Sequence, residues 1–229
     1  VSKAIEQAQG KVEGFNFDMR KHLVEYDDVL NKQREIIYAR RRKTLELEVS
    51  KAEKVSKVSK GDDLKHEILE KINASIAGLV QMQMASLEDG ISSDEKIIEN
   101  FSTIIPFDDA SQQQLIKQLE NLPTEVEKID FLLKLSKDIY EKREDQMGKE
   151  TMRQIERFVM LSVIDNLWMD HLDAVENLRQ GIGLRGYGQR DPLVEYKNEA
   201  FKMFEQLIAG IDDEIVHRIY RIQVQQPPQ

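Results

Sequence analysis

The 229-residue chain is 40% hydrophobic and 33% charged, with a net charge of −9 and no cysteine. This is enough apolar material for one large or two small helical domains, and it excludes disulfides, thiolate chemistry and cysteine-ligated zinc; a reducing compartment such as the cytosol fits. No run approaches the roughly 18 consecutive apolar residues that a membrane-spanning helix needs, and no basic-then-apolar export signal stands at the start. The charge is uneven, because residues 62–145 carry 19 Asp and Glu against 9 Lys and Arg. That balance argues against a whole-chain polyanion partner, so no nucleic acid is expected. The chain opens at Val1 directly into a helix-like pattern, which suggests an internal part of a larger protein.

Apolar residues recur at three-to-four spacing almost throughout, so the fold class is all-α: a long helix packed against a two-helix hairpin, with a small inserted helical subdomain. Ile5, Ala8 and Val12 mark a short first helix, weakened by Gly10 and Gly14 by about 1 kcal/mol each and broken at Gly14 to Phe17. A second, longer helix follows, with Met19, Leu23, Tyr26, Leu30 and Ile37 on one stripe, to about Glu48. Residues 50–63 lose the stripe and read as a frayed end and linker. Leu64, Ile68, Ile72, Ile76, Leu79 and Val80 give the next helix a narrow apolar face. Ser111 with Gln114, and Thr124 with Glu127, have capping-box spacing, and Pro106 and Pro123 fall in the breaks before them.

From Glu150 to about Arg179 the apolar residues form two stripes, Ile155, Val159, Val163 and Leu167 on one and Leu161, Ile164, Trp168, Leu172 and Val175 on another. Such a helix packs on several neighbours. A loop is expected from Gly181 to Arg190, then a helix capped by Asp191 and started by Pro192. Its near-heptad seam runs Leu193, Tyr196, Ala200, Met203, Leu207, Ile211, Ile215, Ile219 and Ile222. Two long helices joined by a short loop make an antiparallel hairpin.

Candidate chemistry is sparse. Gly181, Gly183 and Gly186 spell the dinucleotide fingerprint, but a helix precedes them where a strand is required, so a flexible hairpin tip is the better reading. No Walker, zincin or nucleophile-elbow motif occurs, and no catalytic, cofactor-binding or metal residue is assigned. Asp170, His171 and Asp173 diverge around a helix and read as a partly solvated face. His66 with Glu70 reads as a surface pair, and Glu141, Glu144 and Asp145 as a wet helix surface. Arg40, Arg41, Arg42 and Lys43 read either as a solvated helix end or as a contact for an acidic partner, anionic lipid head groups or nucleic acid. Tyr187, between two glycines, either contacts a partner or folds back on its own hairpin. Arg185, Gln189 and Arg190 beside it add donors and charge suited to a polypeptide of no fixed sequence.

Residues 182–198, IGLRGYGQRDPLVEYKN, with Leu167 to Asp173 before them, closely resemble the two-helix finger of the SecA family. Asn16 to Lys21 (NFDMRK) and Glu25 to Leu30 (EYDDVL) resemble the opening of that family's long scaffold helix. The resemblance implies a helical scaffold domain, first part, over residues 1–48, a helical wing over 49–148, the second scaffold part with the two-helix finger over 149–224, and a linker stub over 225–229. It implies a parent motor that drives unfolded preproteins through the SecY channel using ATP and Mg held in nucleotide-binding domains of the same parent chain. It also implies a cytoplasmic protein peripherally associated with the inner face of the bacterial plasma membrane. Tyr187, Arg185, Gln189 and Arg190 would contact preprotein, Asp18 and Arg20 would face the motor domains, and Trp168 would pack the finger on the scaffold helix. No cofactor and no catalysis are expected of this chain itself. The rival expectation is a stand-alone helical adaptor that binds a partner protein through its hairpin.

Overall fold

The computed structural model describes residues 2–49, 61–85, 93–185 and 191–222, without side-chain detail at positions 2, 18, 22, 47–49, 61–63 and 183–185. Among the described residues there are seven helices and no strand: α1 (Ser2–Val49), α2 (Gly61–Ala85), α3 (Ser93–Ile104), α4 (Asp109–Glu120), α5 (Glu125–Met147), α6 (Lys149–Arg185) and α7 (Pro192–Ile219). This is the all-α class that the spacing predicts. No helix among the described residues is long and apolar enough to cross a membrane. The chain divides into two compact units, residues 1–42 with 164–209, and residues 43–163 with 210–229.

The break expected at Gly14 to Phe17 is absent, since α1 is one helix of 48 residues. Two glycines lower helix stability by about 1 kcal/mol each, which weakens a helix without stopping it. Stopping requires a backbone that leaves the helical region, and the only glycine with positive φ among the described residues is Gly148, at φ 85°.

The second unit is built on α2, whose Leu64, Ile68, Ile72, Ile76 and Val80 are all buried. Helix α2 packs on α3 and α5, and α3 in turn on α4, with Ile97, Ile98, Phe101 and Ile104 of α3, Leu115 and Leu119 of α4, and Leu132 and Tyr140 of α5 buried. Ile211, Ile215, Val216 and Ile219 of α7 are buried in the same unit. Thr124 and Glu127 form the capping box that their spacing predicts, with Thr124 Oγ1 accepting from the Glu127 amide at 3.3 Å. Ser111 is not a cap, because α4 starts three residues earlier. Its N-cap is Asp108, whose carboxylate accepts from the Ser111 amide at 3.1 Å. Asp and Ser both cap well, and the carboxylate has the added attraction of the helix's positive end.

The acidic stretch near the end of α5 also departs from expectation. Glu141 and Asp145 are exposed, but Glu144 is buried between Lys65 of α2 and Arg153 of α6. Arg153 also holds Glu156, at 2.5 and 2.6 Å, and Glu156 accepts from the Tyr140 hydroxyl. Burial is the largest influence on both carboxyls. At Glu156 it wins and pushes the carboxyl up, whereas at Glu144 Lys65 and Arg153 outweigh it and hold the carboxyl below its ordinary value. The cluster closes around Gly148, the single residue between α5 and α6.

Gly148 has open space where a Cβ would stand, so only its backbone angles oppose a side chain. Gly148→Ala should therefore lower unfolding free energy by about 1–3 kcal/mol, while Gly14→Ala, inside an exposed helix, should raise it by about 0.5–1 kcal/mol. Urea denaturation of the two variants checks the opposite signs.

Candidate functional site

The first unit is three helical segments held by side chains that pair in a consistent order. Asp27, Gln33 and Arg41 of α1 meet Arg179, His171 and Asp165 of α6, so the partner number falls as the α1 number rises and the two helices are antiparallel. Tyr26 and Gln33 meet Tyr196 and Ala200 of α7, which therefore runs in the same direction as α1. The hairpin of α6 and α7 is thus laid lengthwise on α1. Its α7 arm starts as the sequence predicts, with Asp191 Oδ1 accepting from the Leu193 amide at 2.8 Å and Pro192 in the first turn.

The apolar core of the unit is Val175, Ile182, Tyr196 and Ala200, with Tyr26, Val29, Leu30, Leu178 and Met203 packed against it. Tyr26 and Tyr196 pack ring on ring, centroids 4.7 Å apart. Inside this apolar surround lies a polar bridge. Gln33, 5% exposed, donates from Nε2 to the Ala200 carbonyl at 2.9 Å. Its amide oxygen lies 2.9 Å from His171 Nε2, and since the amide nitrogen is engaged with Ala200, His171 Nε2 carries the proton and donates. His171 is sandwiched between Trp168, at 5.5 Å, and Phe204, at 6.0 Å between ring centroids. Burial lowers the His171 pKa, so the ring is neutral at neutral pH.

Trp168 is buried, and its indole N–H meets no acceptor among the described residues. It reaches α1 through His171 and Gln33. Asp170 and Asp173 are exposed while His171 points inward, so the three do not converge. Among the described residues no group of His, Asp and Glu is placed to hold a metal ion. His66 and Glu70 form an exposed pair at 3.5 Å, as the spacing predicts. Of the four consecutive cations, Arg41 grips Asp165 at 2.9 and 3.2 Å in this unit, and Lys43 pairs with Glu67 at 2.8 Å in the other. Arg20 is exposed on α1, and Asp18 lies on the same helix with its side chain outside the described detail. Tyr187, Gln189 and Arg190 lie outside the described residues, and Arg185 is the last residue of α6.

The loop expected from Gly181 is shorter at its start, because α6 continues to Arg185. Gly181 and Gly183 are helical, and their amides serve the helix's own ladder, so these glycines do not form a phosphate cradle. Gln33 is not singled out by the sequence, and His171, expected with Asp170 and Asp173 on a partly solvated face, is buried instead. A signal for both exists: Gln33 falls between Leu30 and Ile37, and His171 between Trp168 and Val175, each at a seam position by three-and-four spacing.

The fold and site define a helical scaffold in which, within one unit, a two-helix hairpin lies along a third long helix, and a second unit is helical as well. A family model described as SecA Wing and Scaffold domain matches residues 1–223, and the chain belongs to that family. The Protein translocase subunit SecA of Pelotomaculum thermopropionicum is 40% identical over 234 residues, covering 100% of this chain and 24% of that protein. The corresponding subunit of Syntrophomonas wolfei is 39% identical over 234 residues, with 26% of its length covered. That of Dehalococcoides mccartyi is 40% identical over 225 residues, with 22% covered. The chain thus spans about a quarter of the length of the curated relatives it matches.

Two outcomes follow from the bridge. Trp168→Ala should cost about 3–5 kcal/mol in urea denaturation, as large-to-small changes of buried aromatics do, and Trp168→Phe much less, because no hydrogen bond is lost with the indole. His171 should titrate, by its ring-proton NMR shift, below the ~6.5 of a free imidazole. Its folded pKa is depressed, so the unfolded chain binds the proton first, and its contribution to stability should be full above about pH 6.5 and fall as pH drops through the folded value.

Proposed function

We propose that this chain is the wing-and-scaffold part of a SecA-type export motor, a mechanical and regulatory element with no nucleotide site of its own. The observation that carries this is the family match over residues 1–223, on a chain whose α6–α7 hairpin is laid along α1. Residues 1–48 and 149–224 serve as scaffold and 49–148 as wing, with 225–229 as a linker stub. The hairpin's connecting segment, with Tyr187, Arg185, Gln189 and Arg190, contacts unfolded preprotein at the SecY channel. A ring flanked by glycines offers apolar surface without sequence readout, which suits a substrate of any sequence. ATP and Mg act in nucleotide-binding domains of the parent chain, and the protein works at the inner face of the plasma membrane as a cytoplasmic, peripheral component.

The docking face for those domains is the N-terminal half of α1, around Asp18 and Arg20. Ile5, Val12, Phe15, Met19 and Leu23, which share one face of the helix, are each more than half exposed, as are Phe17 and Val24 on the opposite face. The curated relatives, about four times as long, have ample chain to cover it.

In the whole protein, Tyr187→Ala should strongly reduce preprotein translocation in a reconstituted membrane assay while Tyr187→Phe retains much of it, and the melting temperature should be unchanged in both. Unchanged translocation in Tyr187→Ala removes the preprotein-contact assignment, and it is the result that a stand-alone adaptor predicts.

A further inference from the structure

The seam that joins α1 to the hairpin is apolar except at one level. Leu30 and Ile37 flank Gln33 on α1, Trp168 and Val175 flank His171 on α6, and Tyr196, Ala200, Met203 and Leu207 line α7. A seam of this repeat specifies that helices pack but only weakly how far along one another they lie. A slide of one turn, about 5.4 Å, again sets apolar side chains opposite apolar side chains. A buried polar group lifts that degeneracy, because a slide strands its donors and acceptors in apolar surroundings.

Gln33 meets this requirement on two helices at once. Its amide nitrogen donates to the Ala200 carbonyl of α7 and its amide oxygen accepts from His171 of α6, both at 2.9 Å and both buried. The Ala200 carbonyl lies in the interior of α7, where its helical bond leaves a second lone pair for Gln33. The ion pairs on either side of this level discriminate less. Arg41–Asp165 and Asp27–Arg179 have side chains 39–60% exposed, so water competes with them and their long arms can follow a slide.

We propose that Gln33 sets the register of the hairpin on α1, and that, on the reading of the hairpin given above, it is thereby a positioning residue for translocation. It fixes both arms together, and so fixes how far along α1 the ends of α6 and α7 lie.

The test uses the whole protein carrying this chain, freed of other cysteines, with spin labels at the exposed positions Glu35 of α1 and Asn177 of α6. The unmodified Gln33 protein should give a single narrow distance by pulsed electron resonance. Gln33→Leu keeps the size and the apolar burial but leaves the His171 N–H unpaired, so the melting temperature should fall only modestly. The distance should nonetheless broaden or split by about one helical turn, 5.4 Å, and translocation should drop several-fold. A purely structural role would lower the melting temperature and leave one distance. His171→Phe, which retains a ring of similar volume and removes only the bond to Gln33, is the second probe if Gln33→Leu does not fold. An unchanged single distance in the folded variant overturns the register assignment whatever translocation does. A changed distance with full translocation sinks instead the reading of the hairpin as the working element, and the positioning role with it.

Discussion

A side-chain amide buried among three helices has to be paired at both ends or it destabilises the core that holds it. In the unit of residues 1–42 and 164–209, Gln33 satisfies that condition only at one relative placement of α1, α6 and α7. The other contacts of the unit agree with that placement. Tyr26 lies on Tyr196, Arg41 on Asp165 and Asp27 beside Arg179, each pair where the antiparallel and parallel directions set by Gln33 put it. The amide adds little net energy, since folding exchanges water for protein partners. Its effect is selective, removing alternative packings that the apolar residues alone would accept.

The unit of residues 43–163 and 210–229 solves a different problem. Helices α5 and α6 turn on a single residue, Gly148, and a cluster of buried charges links the two helices near that turn. Lys65, Glu144, Arg153 and Glu156 sum to zero when all are ionised, and Tyr140 adds a neutral donor. The two carboxyls are not equivalent. Glu144 has two cations and stays readily ionised, while Glu156 shares one of them and is fully enclosed. Buried networks of this kind give geometric definition more than stability, because desolvation offsets most of the attraction.

Local chemistry made much of the fold legible in the sequence. The Thr124 box, the Asp191 cap with Pro192 and the prolines in the breaks rest on residues within one turn of each other, and each is found, while the α7 seam is found as far as Ile219, where the helix ends short of Ile222. The misreadings share a cause. Gly10 and Gly14 have a local cost, but whether a helix survives it depends on the whole helix. Ser111 and Asp108 are both competent caps, and the choice between them is made by where α4 starts. Glu144 looks solvated beside Glu141 and Asp145 until Lys65, 79 residues away, is brought to it. Gln33 was missed because a polar residue in an apolar stripe reads as an interruption, whereas partners 138 and 167 residues distant make it a junction.

Helix ends ordinarily fray, because the last four carbonyls have no helical partner. The chain just past α7, which ends at Ile219, is tied down instead, since Arg143 of α5 donates to the carbonyls of Tyr220 and Ile222, and the Tyr220 hydroxyl donates to the Ser136 carbonyl at 3.1 Å. Hydrogen exchange should therefore be graded in an unusual sense, with amides of the final turn of α7 opening with the body of the unit rather than ahead of it. One planar guanidinium spans both carbonyls, so lysine at position 143, with a single point of charge, would leave one of them open to solvent and return that turn to ordinary fraying.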